Sequence, residues 1–270
     1  MKGRVRYSVV IPAFNEERRI PATLDHVMRY IAERNVRGEI IVVDDGSTDR
    51  TAQLVMSYRR KTCRVKLLRW QHQGKGSAVR RGVQAAHGQI VFLCDADMHE
   101  GFAECEKLEA ALLAGADIAI GSRWVEYSES TQPFYRRISS RVFNLCTQRL
   151  LGLKFRDTQC GLKAFTRDAA RDLCEYQSIN GWGYDPELLF VAMRLGYRVA
   201  EVAIKLDHDY TSSKFRAVQD GFITFKDLFQ ILWRDLLGSY PRPMPAPAAV
   251  SGSATAELTP LTETGGREAA

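Results

Sequence analysis

Residues 89–97 read QIVFLCDAD, and this stretch is the strongest indication of the fold in the sequence. A short apolar run is followed at once by Asp95 and Asp97, which predicts a buried strand that ends in two carboxylates. Side chains at i and i+2 of an extended segment project to the same side, so both carboxylates can converge on one hard cation. Oxygen ligands suit Mg²⁺ or Mn²⁺, and His99 is next in the same register. A single D-x-D also occurs in solvated turns at strand ends, so the neighbouring motifs decide between the two interpretations.

Two earlier stretches also predict a strand that runs into a polar loop and then into a helix. Residues 7–17 read YSVVIPAFNEE, and residues 39–51 read EIIVVDDGSTDRT. Together with residues 89–97, three strands in succession end in polar clusters. Open parallel sheets bind their ligands at the carboxyl ends of the strands. The sequence therefore predicts an α/β fold with a polar ligand site along one edge of its sheet.

A turn with two glycines around a lysine is predicted at residues 73–78, which read QGKGSA and open a helix. Such a turn lets the backbone approach a substrate and offers N–H groups and a cation to an anion. The spacing differs from the G-x-x-x-x-G-K-[ST] of a P-loop, so it does not indicate ATP hydrolysis. The cation of Lys75 suits either a substrate phosphate or a neighbouring carboxylate, and the motif leaves both open.

Four motifs occur in the order in which the family-2 inverting glycosyltransferases carry them. They are VVIPAFNE at residues 9–16, VVDDGSTD at 42–49, GKGSA at 74–78 and DAD at 95–97. The chain resembles that family, whose members have the GT-A fold. Four later segments are similar to the branch that contains the dolichyl-phosphate glucose and dolichyl-phosphate mannose synthases. Among them, DTQCGLK resembles the glucosyl enzymes more than the mannosyl ones. These segments are GSR at residues 121–123, DTQCGLK at 157–163, GYDPELL at 183–189 and SSKF at 212–215.

This resemblance implies a Rossmann-like mixed β-sheet flanked by helices. The resemblance also implies a catalytic domain with peripheral amphipathic helices over residues 1–240. Residues 241–270 are rich in Pro, Ala, Ser and Thr, a composition that predicts a disordered tail. The implied activity is the inverting transfer of a hexose, glucose from UDP-glucose, to a polyprenyl or dolichyl monophosphate. The alternatives are a GDP-mannose-dependent mannose synthase, a transferase to a hydroxyl acceptor, and a nucleotide-sugar-binding module without turnover.

On the donor side, the resemblance implies that Asp45 accepts a hydrogen bond from the nucleobase and that Glu16 contacts the ribose. Pro12, Ala13 and Val43 match the backbone shelf around the base. Asp95, Asp97 and His99 are the implied ligands of a Mg²⁺ or Mn²⁺ ion, although family members commonly have Gln at the position of His99. Asn15 and Asp44 also suit a loop-holding role. The predicted nucleotide-binding residues are Pro12, Ala13, Asn15, Glu16, Val43, Asp45, Lys75, Asp95 and Ala96.

On the acceptor side, Arg123, Arg137 and Lys214 match the cations that gather the acceptor phosphate, with Arg136 as an alternative to Arg137. Together with Asp97 they form the predicted catalytic set. The residues predicted to position the sugar hydroxyls or these cations are Asp157, Gln159 and Glu187. A phosphate monoester has a second pKa near 6, so such an acceptor needs no general base at neutral pH. A hydroxyl acceptor would require one of those carboxylates as the base.

Composition constrains the partners and the compartment. The chain has 270 residues, 45% of them hydrophobic, which suffices for one sizeable core. Its net charge of +6 favours an anionic membrane surface, whereas the acidic strand ends would repel a nucleic acid, so no nucleic-acid partner is predicted. The six cysteines form no C-x-x-C pair, and neither a signal peptide nor a membrane span is recognised. The predicted location is cytoplasmic, peripherally attached to the cytoplasmic face of a membrane.

Two amphipathic segments are predicted to provide that attachment. Both place apolar residues at near-helical spacing among basic ones, the pattern of a helix that lies on an anionic surface. The alternative is that both stripes simply pack on the sheet. The apolar positions are Phe134, Ile138, Val142, Leu145 and Leu150 in residues 132–154, and Phe222, Phe225, Phe229, Leu232 and Leu236 in the second segment.

Overall fold

The structure, a computed structural model, describes residues 4–61, 64–98, 100–122, 134–205 and 219–242. At residues 61, 100–101, 134–140 and 219–222 it describes only the backbone. Residues 243–270, which make up most of the predicted tail, lie outside the described part.

The described part of the chain contains seven strands and eight α-helices, with one 3-10 helix at Glu100–Glu104. The strands are β1 (Tyr7–Ala13), β2 (Gly38–Asp44), β3 (Val65–Arg69), β4 (Ile90–Leu93), β5 (Ile118–Ser122), β6 (Lys163–Thr166) and β7 (Val199–Ala203). The helices are α1 (Ile20–Glu33), α2 (Thr51–Lys61), α3 (Lys75–Gln84), α4 (Cys105–Leu113), α5 (Phe134–Leu151), α6 (Arg167–Tyr176), α7 (Tyr184–Arg194) and α8 (Gln219–Leu236).

All seven strands belong to one mixed sheet in the order β3-β2-β1-β4-β6-β5-β7. The first four strands of that order are parallel, whereas β6 runs antiparallel to both β4 and β5. Because Lys163 at the start of β6 pairs with Leu93 at the end of β4, the loop before β6 lies at the edge where the parallel strands end. The predicted mixed α/β sheet is confirmed, and its topology brings the DTQCGLK segment to the predicted ligand edge.

The sheet is buried on both faces, which explains why its strands read as continuous apolar runs. Val9 and Ile11 pack with α1, α2 and α4 on one face. Val10 and Ile41 pack with α3, α6, α7 and α8 on the other. Successive side chains of a strand point to opposite faces, so each strand contributes to both hydrophobic layers. These layers hold the strand ends, and therefore the polar edge, in fixed positions.

A buried ion pair joins β6 to the start of α7. The ammonium nitrogen of Lys163 lies 2.5 Å from Asp185 Oδ1 and also donates a hydrogen bond to the carbonyl oxygen of Cys160. Both charged side chains are almost completely shielded from solvent. An unpaired charge in such a position is costly, so each member of the pair depends on the other.

The second amphipathic segment forms α8, but its exposed face differs from the predicted stripe. Phe225 packs edge-to-face on Phe143 of α5, with ring centroids 5.8 Å apart, and Leu232 packs against the core. The prediction that these two residues belong to an exposed stripe is wrong, because they lie on the side of α8 that faces the protein. The side chain of Phe222 lies outside the described part. On α8 and directly after it, the exposed large apolar residues are Phe229 and Leu236, which belong to the predicted stripe, and Ile223, Trp233 and Leu237, which do not. On α5 they are Val142 and Leu145, both from the predicted stripe.

None of the helices in the described ranges is both long enough and apolar enough to cross a membrane.

We expect Lys163→Met to destabilise the protein by about 3–5 kcal/mol, because it leaves the Asp185 carboxylate buried without its partner. The double variant Lys163→Met, Asp185→Leu should recover part of that loss, since neither charge remains. Urea unfolding measures both. Arg50→Ala is the matched control: Arg50 pairs with Glu17 across 3.3 Å on the surface, and its removal should change stability by less than about 1 kcal/mol. An equal loss from Lys163→Met and Arg50→Ala would contradict the role given to the buried pair.

Candidate active site

Asp45 lies at the end of β2 and is held by the loop that precedes α3. Its two carboxylate oxygens accept hydrogen bonds from the backbone N–H groups of Gln73, at 3.0 Å, and Gly74, at 2.8 Å. His72 Nδ1 lies 2.8 Å from the same carboxylate. Gly46 follows with a positive φ of 79°, and a Cβ at this position would lie 2.8 Å from the backbone nitrogen of His72. Only glycine therefore lets the two loops approach closely enough for these contacts.

Asn15 and Asp44 hold the loop between β2 and α2, in agreement with the loop-holding interpretation. Asn15 Oδ1 accepts hydrogen bonds from the backbone N–H groups of Thr48, at 2.8 Å, and Asp49, at 3.3 Å. Asp44 Oδ1 accepts the N–H of Ser47 at 3.0 Å. These contacts keep the ends of β1 and β2 together. Nucleotide contact by Asn15 stays a prediction.

Asp95 is paired with Lys75, so the structure shows one of the two partners that the sequence suggested for this lysine, and contact of Lys75 with a substrate phosphate stays a prediction. The ammonium nitrogen lies 2.7 Å from one carboxylate oxygen of Asp95 and 2.8 Å from the other. Burial lowers the pKa of Lys75, but Asp95, Asp185 and Asp97 outweigh that effect and raise it above its usual value. Gly161, from the loop before β6, packs against the carboxylate so tightly that a Cβ would lie 2.1 Å from Asp95 Oδ2.

One carboxylate oxygen of Asp97 has no hydrogen-bond donor among the described residues. Its Oδ2 lies 3.3 Å from the guanidinium of Arg19, whereas Oδ1 is buried and has no hydrogen-bond partner in the described ranges. Arg19 also forms two hydrogen bonds to Glu16, at 2.6 and 2.7 Å, so it is fixed from both sides. A buried carboxylate oxygen without a donor suits a cation ligand, since an unsatisfied buried acceptor is otherwise costly.

Asp95 and Asp97 suit a divalent ion whose remaining coordination positions are filled by substrate phosphates and water. Within the described residues, no group of three or more Asp, Glu, His or Cys side chains could hold a metal ion. Asp95 and Asp97 remain as two carboxylates at one strand end, and His99 lies outside the described part. Mg²⁺ is often held by one or two carboxylates together with substrate phosphates and water, so this donor set fits such a site.

Glu187 lies beneath the loop at residues 177–183 rather than in open space. Its carboxylate accepts hydrogen bonds from the N–H and hydroxyl of Ser178, the N–H of Ile179 and the hydroxyl of Tyr240. The side chain is completely buried. Its contacts are with the chain itself, and any effect on a sugar hydroxyl would act through this loop.

The remaining sugar-positioning residues lie in the loop before β6. Asp157 is almost fully buried, and its Oδ1 accepts the N–H of Gln159 at 3.3 Å. The N–H of Asp157 donates to Glu201 of β7 at 2.8 Å. The topology thus brings this loop to the same edge as Asp95, as the predicted site requires. Contacts of Asp157 and Gln159 with a sugar stay predictions.

The side chains of three of the four residues in the predicted catalytic set lie outside the described part. Arg123 and Lys214 lie outside the described residues, and Arg137 belongs to α5, where only the backbone is described at that position. Their roles therefore stay predictions. Pro12, Ala13 and Val43 lie at the ends of β1 and β2, which pair in register as Pro12 with Val43, and Ala96 follows β4 in the D-x-D turn.

Sequence reasoning missed several residues that build this edge. Lys163 and Asp185 stand inside motifs that assign them no role, although a lysine that opens an apolar strand signals a buried partner. Trp182 precedes the GYDPELL segment and lies with its ring centre 5.0 Å from the Lys75 ammonium. Arg19 stands in a basic run before α1 that looks like an ordinary solvated helix start, so no local signal identified it.

Comparison with known proteins gives a consistent family assignment. The model of glycosyl transferase family 2 matches residues 8–174. The dolichyl-phosphate beta-glucosyltransferase of Dictyostelium discoideum is 34% identical over 86% of this chain and 75% of its own length. The human dolichyl-phosphate beta-glucosyltransferase is 33% identical over 86% of this chain and 76% of its own length.

Solved structures agree on the fold. Glucosyl-3-phosphoglycerate synthase from Mycobacterium tuberculosis, crystallised with phosphoglyceric acid, gives a TM-score of 0.65 at 20% identity, covering 85% of this chain and 80% of that one. The same enzyme with Mn²⁺, UDP-glucose and phosphoglyceric acid gives 0.61 at 20% identity, with the same coverage. At this identity the likeness concerns the fold alone. The chain belongs to glycosyl transferase family 2 and is a glycosyltransferase with the GT-A fold.

Proposed function

We propose that this glycosyltransferase moves glucose from UDP-glucose to a polyprenyl monophosphate such as dolichyl phosphate, with inversion at the anomeric carbon. The curated relatives at 33–35% identity that carry the name dolichyl-phosphate beta-glucosyltransferase support this proposal. The DTQCGLK segment at residues 157–163 supports glucose over mannose. A GDP-mannose-dependent mannose synthase is the alternative that uses the same architecture with a different donor.

The burial and hydrogen bonding of the acidic side chains favour a phosphate acceptor over a hydroxyl acceptor. A hydroxyl acceptor needs a carboxylate that can reach substrate and take its proton. Glu187 is completely buried and accepts hydrogen bonds at both oxygens, and Asp157 is almost fully buried and accepts the N–H of Gln159 at Oδ1. Both carboxylates are thus buried and engaged with the chain itself. A phosphate monoester, already largely dianionic at neutral pH, needs no such base.

The reaction follows as one displacement. An oxygen of the acceptor phosphate attacks the anomeric carbon from the side opposite UDP, while the bond from that carbon to the UDP oxygen breaks and its electron pair leaves with UDP. Asp95 and Asp97 would hold a Mg²⁺ or Mn²⁺ ion, which when bound supplies Lewis-acid stabilisation of the diphosphate. Lys75 fixes Asp95, and Arg19 fixes Oδ2 of Asp97, which leaves Oδ1 without a donor from the part of the chain that the structure describes.

Peripheral attachment to the cytoplasmic face of a membrane is part of this proposal, because a polyprenyl phosphate is embedded in a bilayer. Trp233, Leu236 and Leu237 are 64%, 81% and 65% exposed, and Phe229 is exposed as well. Adjacent large apolar residues of this kind mark interaction surfaces. Lys226 on the same helix is exposed. An apolar helix face with basic neighbours suits the interface of an anionic membrane.

A transfer assay with a short polyprenyl phosphate tests the reaction, with UDP-glucose and GDP-mannose as competing donors. We expect glucose transfer from UDP-glucose and its loss in Asp97→Ala, since removal of this ion ligand costs several kcal/mol in the transition state. Chelation by EDTA should abolish transfer reversibly. The control Asp168→Ala removes an exposed carboxylate from the first turn of α6 and should leave the rate unchanged. A fully active Asp97→Ala enzyme would contradict the proposed ion site, and mannose transfer would select the alternative donor.

We expect replacement of Arg123, Arg137 or Lys214 by Ala to weaken use of the acceptor more than binding of the nucleotide. Each is proposed to offset the repulsion between the two phosphate-bearing substrates. Kinetics at varied polyprenyl phosphate and calorimetry with UDP separate the two effects. Arg149→Ala, which removes an exposed arginine from the last turn of α5, is the matched control. A Lys214→Ala variant that lost UDP affinity while keeping its acceptor KM would reverse the assignment.

We expect the double variant Phe229→Asp, Trp233→Asp to abolish flotation with anionic vesicles, because both exposed side chains would carry charge into the interface. Salt should weaken binding of the unchanged protein, since surface charge is screened over about 8 Å at physiological ionic strength. Leu113→Asp is the matched control, an equally exposed leucine at the end of α4. Deletion after Tyr240 should leave flotation intact. Loss of binding on that deletion, with the double variant still bound, would assign attachment to the tail.

A further inference from the structure

We propose that the indole of Trp182 contacts the hexose of the donor and forms one wall of its binding site. This inference rests on the proposed function and adds a sugar-contacting residue to it. Trp182 is half-buried at the polar edge of the sheet, immediately before α7.

The first support is the position of the indole relative to the acidic strand end. The Lys75 ammonium lies 5.0 Å from the centre of the Trp182 ring and 2.7 Å from a carboxylate oxygen of Asp95. A single ammonium group therefore separates the indole from the side chain proposed to hold the diphosphate through its ion. The hexose is joined directly to that diphosphate, so it must occupy space next to these groups.

The second support is that the loop carrying Trp182 is packed against the start of α3. A Cβ on Gly74 would lie 2.5 Å from the carbonyl oxygen of Asn180, and a Cβ on Gly76 would lie 2.4 Å from that of Ile179. Gln177 donates a hydrogen bond to the carbonyl oxygen of Gly76 at 2.8 Å. Both glycines thus serve this close packing, and the turn that carries Lys75 forms a unit with the loop that carries Trp182.

The third support is that hydrogen bonds anchor both ends of the 177–183 loop. Glu187 accepts the N–H groups of Ser178 and Ile179 at its beginning. Asp227 of α8 accepts the N–H of Gly183 at 3.2 Å, directly after Trp182. A large aromatic side chain on an anchored backbone loses little further entropy when a ligand binds, which suits it to a preformed site.

The chemistry of a hexose fits such a wall. One face of a glucose ring in the chair form exposes C–H groups, which pack on an aromatic face, while its hydroxyls remain free for polar partners. A tryptophan provides a large apolar surface for this purpose. The diphosphate and the base do not require it, so the contact should distinguish UDP-glucose from UDP.

Calorimetry with UDP-glucose and with UDP, both with Mn²⁺, tests this contact. We expect Trp182→Ala to weaken UDP-glucose binding by about twofold to tenfold, the range of an aromatic contact, and to leave UDP binding within about twofold. Trp182→Phe should fall between the two because it keeps an aromatic face. Trp233→Ala is the matched control, since it removes an exposed indole from α8 and should change neither affinity.

The outcomes separate this inference from the proposed function. Equal weakening of UDP and UDP-glucose by Trp182→Ala would mean that the indole only supports Lys75, and unchanged affinities would mean that it contacts nothing in the donor. Either result overturns the inference while UDP-glucose remains the donor. Failure of the unchanged protein to bind UDP-glucose would overturn the proposed function and this inference together.

Discussion

Charge compensation at one edge of the sheet is the constraint on which the rest of the structure depends. Asp44, Asp45, Asp95, Asp97 and Asp185 gather around the ends of β1, β2 and β4, and like charges in so small a region would repel. Each has a partner from a different element of the chain. The partners are Ser47 and Arg69 for Asp44, the backbone of Gln73 and Gly74 for Asp45, and Lys75, Arg19 and Lys163 for Asp95, Asp97 and Asp185 respectively. The compensation leaves Asp97 with a buried oxygen that no donor in the described part satisfies.

The sequence predicted the location of this edge because local patterns determine where strands end. Asp45, Asp95 and Asp97 follow continuous apolar runs, and parallel strands collect such residues on one side. The partners of these carboxylates could not be predicted in the same way. Arg19 reaches Asp97 from the position before α1, and Lys163 on β6 reaches Asp185 on α7, so both pairs depend on tertiary structure. Glu187 illustrates the same limit, since only the fold reveals that Ser178, Ile179 and Tyr240 occupy its oxygens.

Helix α8 shows why amphipathic spacing predicts a helix better than it predicts which face is exposed. The periodicity of Phe225, Phe229 and Leu232 is correct for a helix, but the apolar residues extend over more of its circumference than the core can cover. Leu228 and Ile231 are completely buried, and Phe225 packs on Phe143. The apolar residues left outside, among them Trp233 and Leu236, are those that α5 and α7 do not reach. Such a helix can pack on the core with one side and contact a second hydrophobic environment with the opposite side.

Asp227 accepts a hydrogen bond from the N–H of Gly183, and Tyr240 donates one to Glu187 beneath the 177–183 loop. These hydrogen bonds join the segment with the exposed apolar face to the segment with Trp182, so the two cannot move far relative to each other. If that face rests on a bilayer, the depth of its insertion sets the height at which the active site stands above the lipid phosphates. A tethered acceptor would then meet the sugar within a thin layer, where confinement raises its effective concentration far above that of a soluble phosphate. Under that arrangement, the enzyme would select acceptors whose phosphate lies at the height of the active site above the membrane.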